Sequence, residues 1–126
     1  MENPLALIIE DDESLSFIFT SALKQAEFET EPILDGAAAL ARLAETTPAI
    51  ILLDLHLPNV SGKEILGQIR SAPHLEHTRV VLVTADALLA ENLRDQADLV
   101  LLKPISFEQL QILASRLRPI DSEVLS

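Results

Sequence analysis

Four short segments of this 126-residue chain set reactive side chains at the ends of apolar runs. Glu10 and Asp11 follow residues 5–9, and Asp54 follows 50–53. Thr84 follows 79–83, and Lys103, with Pro104 behind it, follows 99–102. Each has an ordinary explanation in isolation. An acidic pair suits the start of a helix, a threonine can cap one, and a lysine at a strand end is normally solvated. Asp12 and Glu13 fit that explanation and are read as helix-start residues. Gathered at one place, the others have a chemistry. Three carboxylates crowded in a partly buried cleft cannot all stay ionised without a counter-charge. An all-oxygen donor set favours Mg²⁺, or Mn²⁺, with several waters retained. A hydroxyl and an ammonium beside that centre can hold phosphoryl oxygens. A carboxylate at its middle can then be a nucleophile, giving an acyl phosphate.

Whether these side chains meet depends on the elements that carry them. Five strand candidates, 5–9, 28–33, 50–53, 79–83 and 99–102, alternate with helix-like stretches. Most are continuously apolar, as suits strands covered on both faces by helices. Residues 28–33 alternate in polarity and carry Pro32, the pattern of an exposed edge strand. Leu15, Ile18, Phe19, Ala22, Leu23 and Ala26 make one apolar helical face. Asp35 can cap an Ala-rich helix over 37–44. Ser61 with Glu64, and Ser106 with Gln109, have capping-box spacing ahead of two further apolar faces. Pro119 stops the last helix, and residues 85–97 leave room only for a short fourth one. Strict strand–helix alternation predicts an α/β fold with a parallel sheet and right-handed crossovers. Five such units suggest a doubly wound (βα)5 flavodoxin-like three-layer sandwich, whose strand order is 2-1-3-4-5. Ligands of such sheets bind beyond the carboxyl ends of the strands, at the switch point between the first and third. That is where Glu10, Asp11 and Asp54 fall.

On these residues the chain resembles the receiver domain of two-component response regulators, over almost its whole length. The motifs are Leu7-Ile8-Ile9-Glu10-Asp11-Asp12, then Leu52-Leu53-Asp54-Leu55-His56-Leu57-Pro58 with Ser61-Gly62, then Val83-Thr84-Ala85, then Leu102-Lys103-Pro104. None is specific alone; their order and their placement at successive strand ends carry the resemblance. It implies Asp54 as phosphoacceptor, Asp11 as a direct Mg²⁺ ligand and Glu10 acting mainly through a metal-bound water. It implies the backbone carbonyl of His56 as a further ligand, with the His56 side chain tuning rate rather than binding. Thr84 would be the switch hydroxyl, Lys103 the phosphate-binding lysine, and the Lys103–Pro104 bond cis. The phosphoryl donor would be a phosphohistidine on a sensor histidine kinase or phosphotransfer protein, and a downstream effector protein or domain would read the result. Slow hydrolysis of the acyl phosphate would be the domain's only turnover, so it is a signalling domain rather than an enzyme. Residues 1–120 would form the receiver and 121–126 a tail or the start of a linker.

Two departures from the family pattern stand out. Receivers commonly carry Tyr or Phe three residues before the lysine, and this chain has Val100. The segment from Thr84 to Lys103 is shorter than usual, with Gln96 where a glycine is common, so the fourth helix should be short, tilted or mobile. Receivers often dimerise through the face beside that helix; a weak homodimer is therefore an open expectation. His74 and His77 have chelate-like spacing but no further ligand nearby, and are read as surface histidines.

Composition removes several other function classes. Nine basic against twenty acidic residues give a formal charge of −11, with the bases scattered, which argues against direct nucleic-acid binding. Without cysteine, disulfides and thiolate metal sites are out. No apolar run approaches the ~20 residues of a membrane span, and the first residues lack the pattern of a secretory signal. A cytoplasmic location is expected. Two rival functions share the fold. An aspartyl-nucleophile phosphatase typically wants a carboxylate two residues after the nucleophile, where this chain has His56. A phosphorylation-independent interaction module predicts damage to the site, yet all five reactive residues are intact.

Overall fold

A computed structural model describes residues 3–119. The strands are β1 (Leu5–Ile9), β2 (Glu29–Ile33), β3 (Ile50–Asp54), β4 (Arg79–Thr84) and β5 (Leu99–Leu102). They alternate with helices α1 (Glu13–Gln25), α2 (Gly36–Leu43), α3 (Gly62–Ser71), α4 (Ala87–Leu93) and α5 (Phe107–Leu117). Short 3-10 turns at Pro73–Leu75 and Arg94–Gln96 complete the chain path. The sheet is parallel throughout in the order β2-β1-β3-β4-β5, the order expected of the flavodoxin-like arrangement.

The continuous apolar runs are explained by burial on both sheet faces. Leu7, Ile9, Ile51, Leu53, Val80 and Leu82 point into one layer with Leu43, Ile65, Leu66 and Ile69. Their neighbours Ala6, Ile8, Ile50, Leu52, Val81 and Val83 point into the other, with Phe19, Leu23, Leu110 and Ala114. Side chains alternate along a strand, so a strand covered twice must be apolar at every position. β2 is an edge strand, and its charges are put to use: Arg42 of α2 pairs with Glu31 at 2.7 Å.

Most helix starts follow the expected caps. The side chains of Asp12, Asp35, Ser61 and Ser106 accept hydrogen bonds from Leu15, Ala37, Glu64 and Gln109 N–H respectively. The second helix begins at Gly36 rather than Ala37, and α5 ends at Leu117 ahead of Pro119. The fourth helix is short, as its segment length requires. Its cap is Asp86, whose side chain accepts from both Leu88 and Leu89 N–H.

Three strand boundaries differ from expectation. Phe28 lies before β2, not in it, and is buried beneath α1 in the layer with Phe19 and Leu23. β3 and β4 each run one residue further, so Asp54 and Thr84 are the last residues of their strands and not the first beyond them. That matters for the site, because ladder pairing rather than a loop then holds their backbone. The expected tail, 121–126, lies outside the described residues.

Candidate functional site

Parallel register brings the carboxyl ends of β1, β3, β4 and β5 to one edge of the molecule. Ile9 pairs with Leu53, Asp54 with Val83, and Thr84 with Leu102. The chain beyond each strand stays tethered: Glu10 N–H donates to Ile33 O, Leu55 N–H to Val83 O and Lys103 N–H to Thr84 O. Glu10, Asp11, Asp54, Thr84 and Lys103 are thus held together by the sheet itself.

Glu10, Asp11 and Asp54 each offer a carboxylate oxygen within 4.8 Å of the others. Glu10 and Asp54 are buried, and Asp11 is exposed at the mouth. Asp54 Oδ1 accepts from His56 N–H at 3.0 Å. The Lys103 ammonium lies 3.5 Å from Asp54 Oδ2 and 3.3 Å from Glu10 Oε1. Glu10 Oε2 accepts from Asp12 N–H at 3.2 Å. Glu10 Oε1 makes no hydrogen bond; the Lys103 contact is close in distance but not aligned as one.

One ammonium against three carboxylates leaves the cleft short of positive charge. The Glu10 carboxyl is accordingly raised to about 7, first by burial and then by Asp54, which can accept a hydrogen bond only from the protonated form and whose charge adds to the rise. The Asp12 N–H and the Lys103 charge oppose the rise without cancelling it. An all-oxygen donor set with a buried, unpartnered carboxylate oxygen suits a hard divalent cation, so the residues present fit Mg²⁺.

Thr84 is fully buried at the strand end. Its Oγ1 accepts from Asp86 N–H at 3.0 Å and lies 3.0 Å from His56 Nε2. The His56 backbone follows Asp54 directly past Leu55, while its side chain is exposed and reaches over to β4. The contact between the His56 ring and Thr84 was not legible in the sequence, since no periodicity links residues 28 apart. The cap of α4 is Asp86, not the Thr84 that the sequence offers as a candidate; an Asp before an apolar helical run is a signal that could have found it.

Gly62 lies against the end of β3. A Cβ there would stand 2.5 Å from Leu55 Cα and 2.6 Å from Asp54 O, so only glycine lets α3 begin against the end of β3.

Residues 6–115 match the response regulator receiver domain family. The chain belongs to that family. As a receiver, it is 35% identical over 127 residues to the phosphate regulon transcriptional regulatory protein PhoB of Rhizobium meliloti, covering 98% of this chain and 56% of PhoB. It is 34% identical over 122 residues to the probable methanogenesis regulatory protein FilR2 of Methanothrix harundinacea, covering 87% of this chain and 79% of FilR2. The receiver therefore spans only about half the length of PhoB. In fold it is similar to the chemotaxis response regulator CheY4 of Vibrio cholerae, with a TM-score of 0.83 at 23% identity, covering 91% of this chain and 98% of CheY4.

The expected peculiarities of this receiver can be located. Lys103–Pro104 is cis. Val100 is partly buried and packs with Leu89 and Ala97 against the layer that holds Leu93. His77 is exposed and 3.2 Å from Glu76, and His74 Nε2 is 2.8 Å from Leu43 O. Neither belongs to a metal-capable cluster among the described residues. No helix among those residues is long and apolar enough to cross a membrane.

Proposed function

We propose that this receiver takes a phosphoryl group onto Asp54 from a phosphohistidine of a sensor kinase or phosphotransfer protein, and that Mg²⁺ is required. The observation that carries the reading is the convergence of Glu10, Asp11 and Asp54 around a buried carboxylate oxygen that lacks a hydrogen bond, with Lys103 alongside. Asp11, Asp54 and the His56 backbone carbonyl would hold the ion, with Glu10 acting through one of its waters. When bound, the ion supplies positive charge to the carboxylates and to phosphoryl oxygens. Everything else falls to the chain's own groups. An Asp54 carboxylate oxygen forms the new bond to phosphorus as the bond to the donor imidazole nitrogen breaks, and that nitrogen keeps the electron pair. Lys103 leaves its carboxylate contacts to neutralise a phosphoryl oxygen, and Thr84 donates its hydroxyl proton to another. Phosphoryl transfer asks little more of a protein than this positioning and neutralisation.

The product is a signal because a new dianion beside a buried threonine shifts a local balance of packing. A downstream effector protein or domain would read that change, and the regulatory names of PhoB and FilR2 support such an output. The reading places the domain in the cytoplasm, where such kinases present their phosphohistidine. Incubation with a small-molecule phosphodonor tests it by intact mass. A phosphate-mass adduct is expected with Mg²⁺, absent without it and absent in Asp54→Ala. Unmodified wild-type protein with metal and a competent donor would instead favour a phosphorylation-independent interaction module.

A further inference from the structure

We propose that the His56 ring is the positioning partner of Thr84 and carries that buried hydroxyl's movement to the surface. This rests on the phosphorylation reading above. Thr84 is fully buried, whereas the ring that touches its hydroxyl is exposed. The hydroxyl has two contacts among the described residues: Asp86 N–H at 3.0 Å, which donates to it, and His56 Nε2, also at 3.0 Å. A hydroxyl has one proton and two lone pairs. With Asp86 N–H on one lone pair, His56 either fills the second, leaving the proton free, or accepts that proton. If the proton is engaged by His56, Thr84 cannot donate it to a phosphoryl group without giving up that bond; if His56 fills the lone pair, any swing of Oγ1 toward Asp54 stretches the 3.0 Å contact.

The backbone ties the same pair to the site. His56 N–H donates to Asp54 Oδ1 at 3.0 Å, so phosphorylation of that carboxylate acts on residue 56 from its main chain while Thr84 acts on its ring. Val100, three residues before the lysine, has no ring and packs against the layer that also takes Leu89 and Ala97. His56 supplies a ring in contact with the hydroxyl on the open side of the site.

The test follows the ring directly. Histidine ring ¹⁵N and ¹³C signals of the full chain are recorded with Mg²⁺, with and without beryllofluoride as a phosphoryl mimic. The pH is held well above the imidazole range, so that the ring stays neutral. His56→Asn assigns the signal, and His74 and His77 serve as internal controls. In wild type, the His56 signal should shift on activation while the controls stay still. Thr84→Val removes the hydroxyl at nearly constant volume. It should move the resting His56 signal and abolish most of its response to activation, and Thr84→Ser should restore both. A His56 response of equal size in wild type and Thr84→Val would overturn the proposal, because nearby charge alone would then explain it. Phosphodonor labelling of the same samples separates the two levels. Wild type that takes no phosphoryl group sinks the underlying reading and this proposal with it. Wild type that is labelled, with a His56 ring indifferent to Thr84, sinks this proposal alone.

Discussion

Buried beside Asp54, the Glu10 carboxyl of the metal-free protein keeps its proton up to about pH 7, whereas in the unfolded chain it ionises near 4.5. Between those values the folded form holds a proton that the unfolded form lacks. The stability this contributes is complete below 4.5 and is lost as pH rises through 7. A cation bound among these carboxylates must expel that proton. Mg²⁺ affinity should therefore be flat above pH 7 and weaken below it, by up to about tenfold per pH unit. Calorimetric Mg²⁺ titrations on either side of pH 7, with proton release measured in two buffers, check this; Asp11→Ala should abolish saturable binding throughout. At this scale the sequence was informative about which residues meet at the strand ends, Glu10, Asp11, Asp54, Thr84 and Lys103. It was silent on the His56 ring, because a side chain's reach across strands leaves no pattern along the chain.

The α3 helix holds two glycines that should respond in opposite ways to one added methyl group. Gly62 meets backbone, Leu55 Cα and Asp54 O, which cannot swing aside as a side chain would. Gly62→Ala should push the start of α3 off the end of β3, costing roughly 1–3 kcal/mol and slowing phosphorylation of Asp54. Gly67 has nothing within 4 Å of its Cβ position and sits inside the helix. Gly67→Ala should stabilise the protein by about 0.5–1 kcal/mol and leave the phosphorylation rate unchanged. Urea melts and labelling time courses of the two variants give both comparisons. The helix α3 itself was visible from Ser61 and Glu64, and the edge position of β2 from its alternation and Pro32. The extra residue at the ends of β3 and β4 was not visible, because pairing partners rather than local polarity decide where a ladder stops.

Across the whole molecule, the site and the main polar staple lie at opposite ends of the sheet. Asp98, just before β5, accepts from Val80 N–H at 2.7 Å and pairs with Arg79 of β4 and Arg70 of α3. Burial alone would raise its carboxyl, but the Val80 N–H and the two guanidinium groups outweigh this and hold it below the usual range. Its contribution is present above the ordinary carboxylate range and is lost as pH falls through the lowered folded value. Asp98→Asn should destabilise the protein by about 1–3 kcal/mol near neutral pH, and by less in acid, with Mg²⁺-dependent labelling retained. The parallel, doubly wound sheet was legible from alternation with right-handed crossovers, and its order 2-1-3-4-5 followed from taking it as flavodoxin-like. The staple was not, since Arg70, Arg79 and Asp98 come from three elements whose register only the fold sets. In the proposed function Asp54, at the other end, takes the phosphoryl group, and that can be checked chemically. After Mg²⁺-dependent phosphorylation, borohydride reduces an aspartyl phosphate to homoserine, which peptide mass spectrometry can place. Homoserine at position 54 and nowhere else is the predicted result. Phosphate retained on a histidine or hydroxyl side chain, or homoserine at Asp11 or Asp12 instead, would contradict the assignment of Asp54.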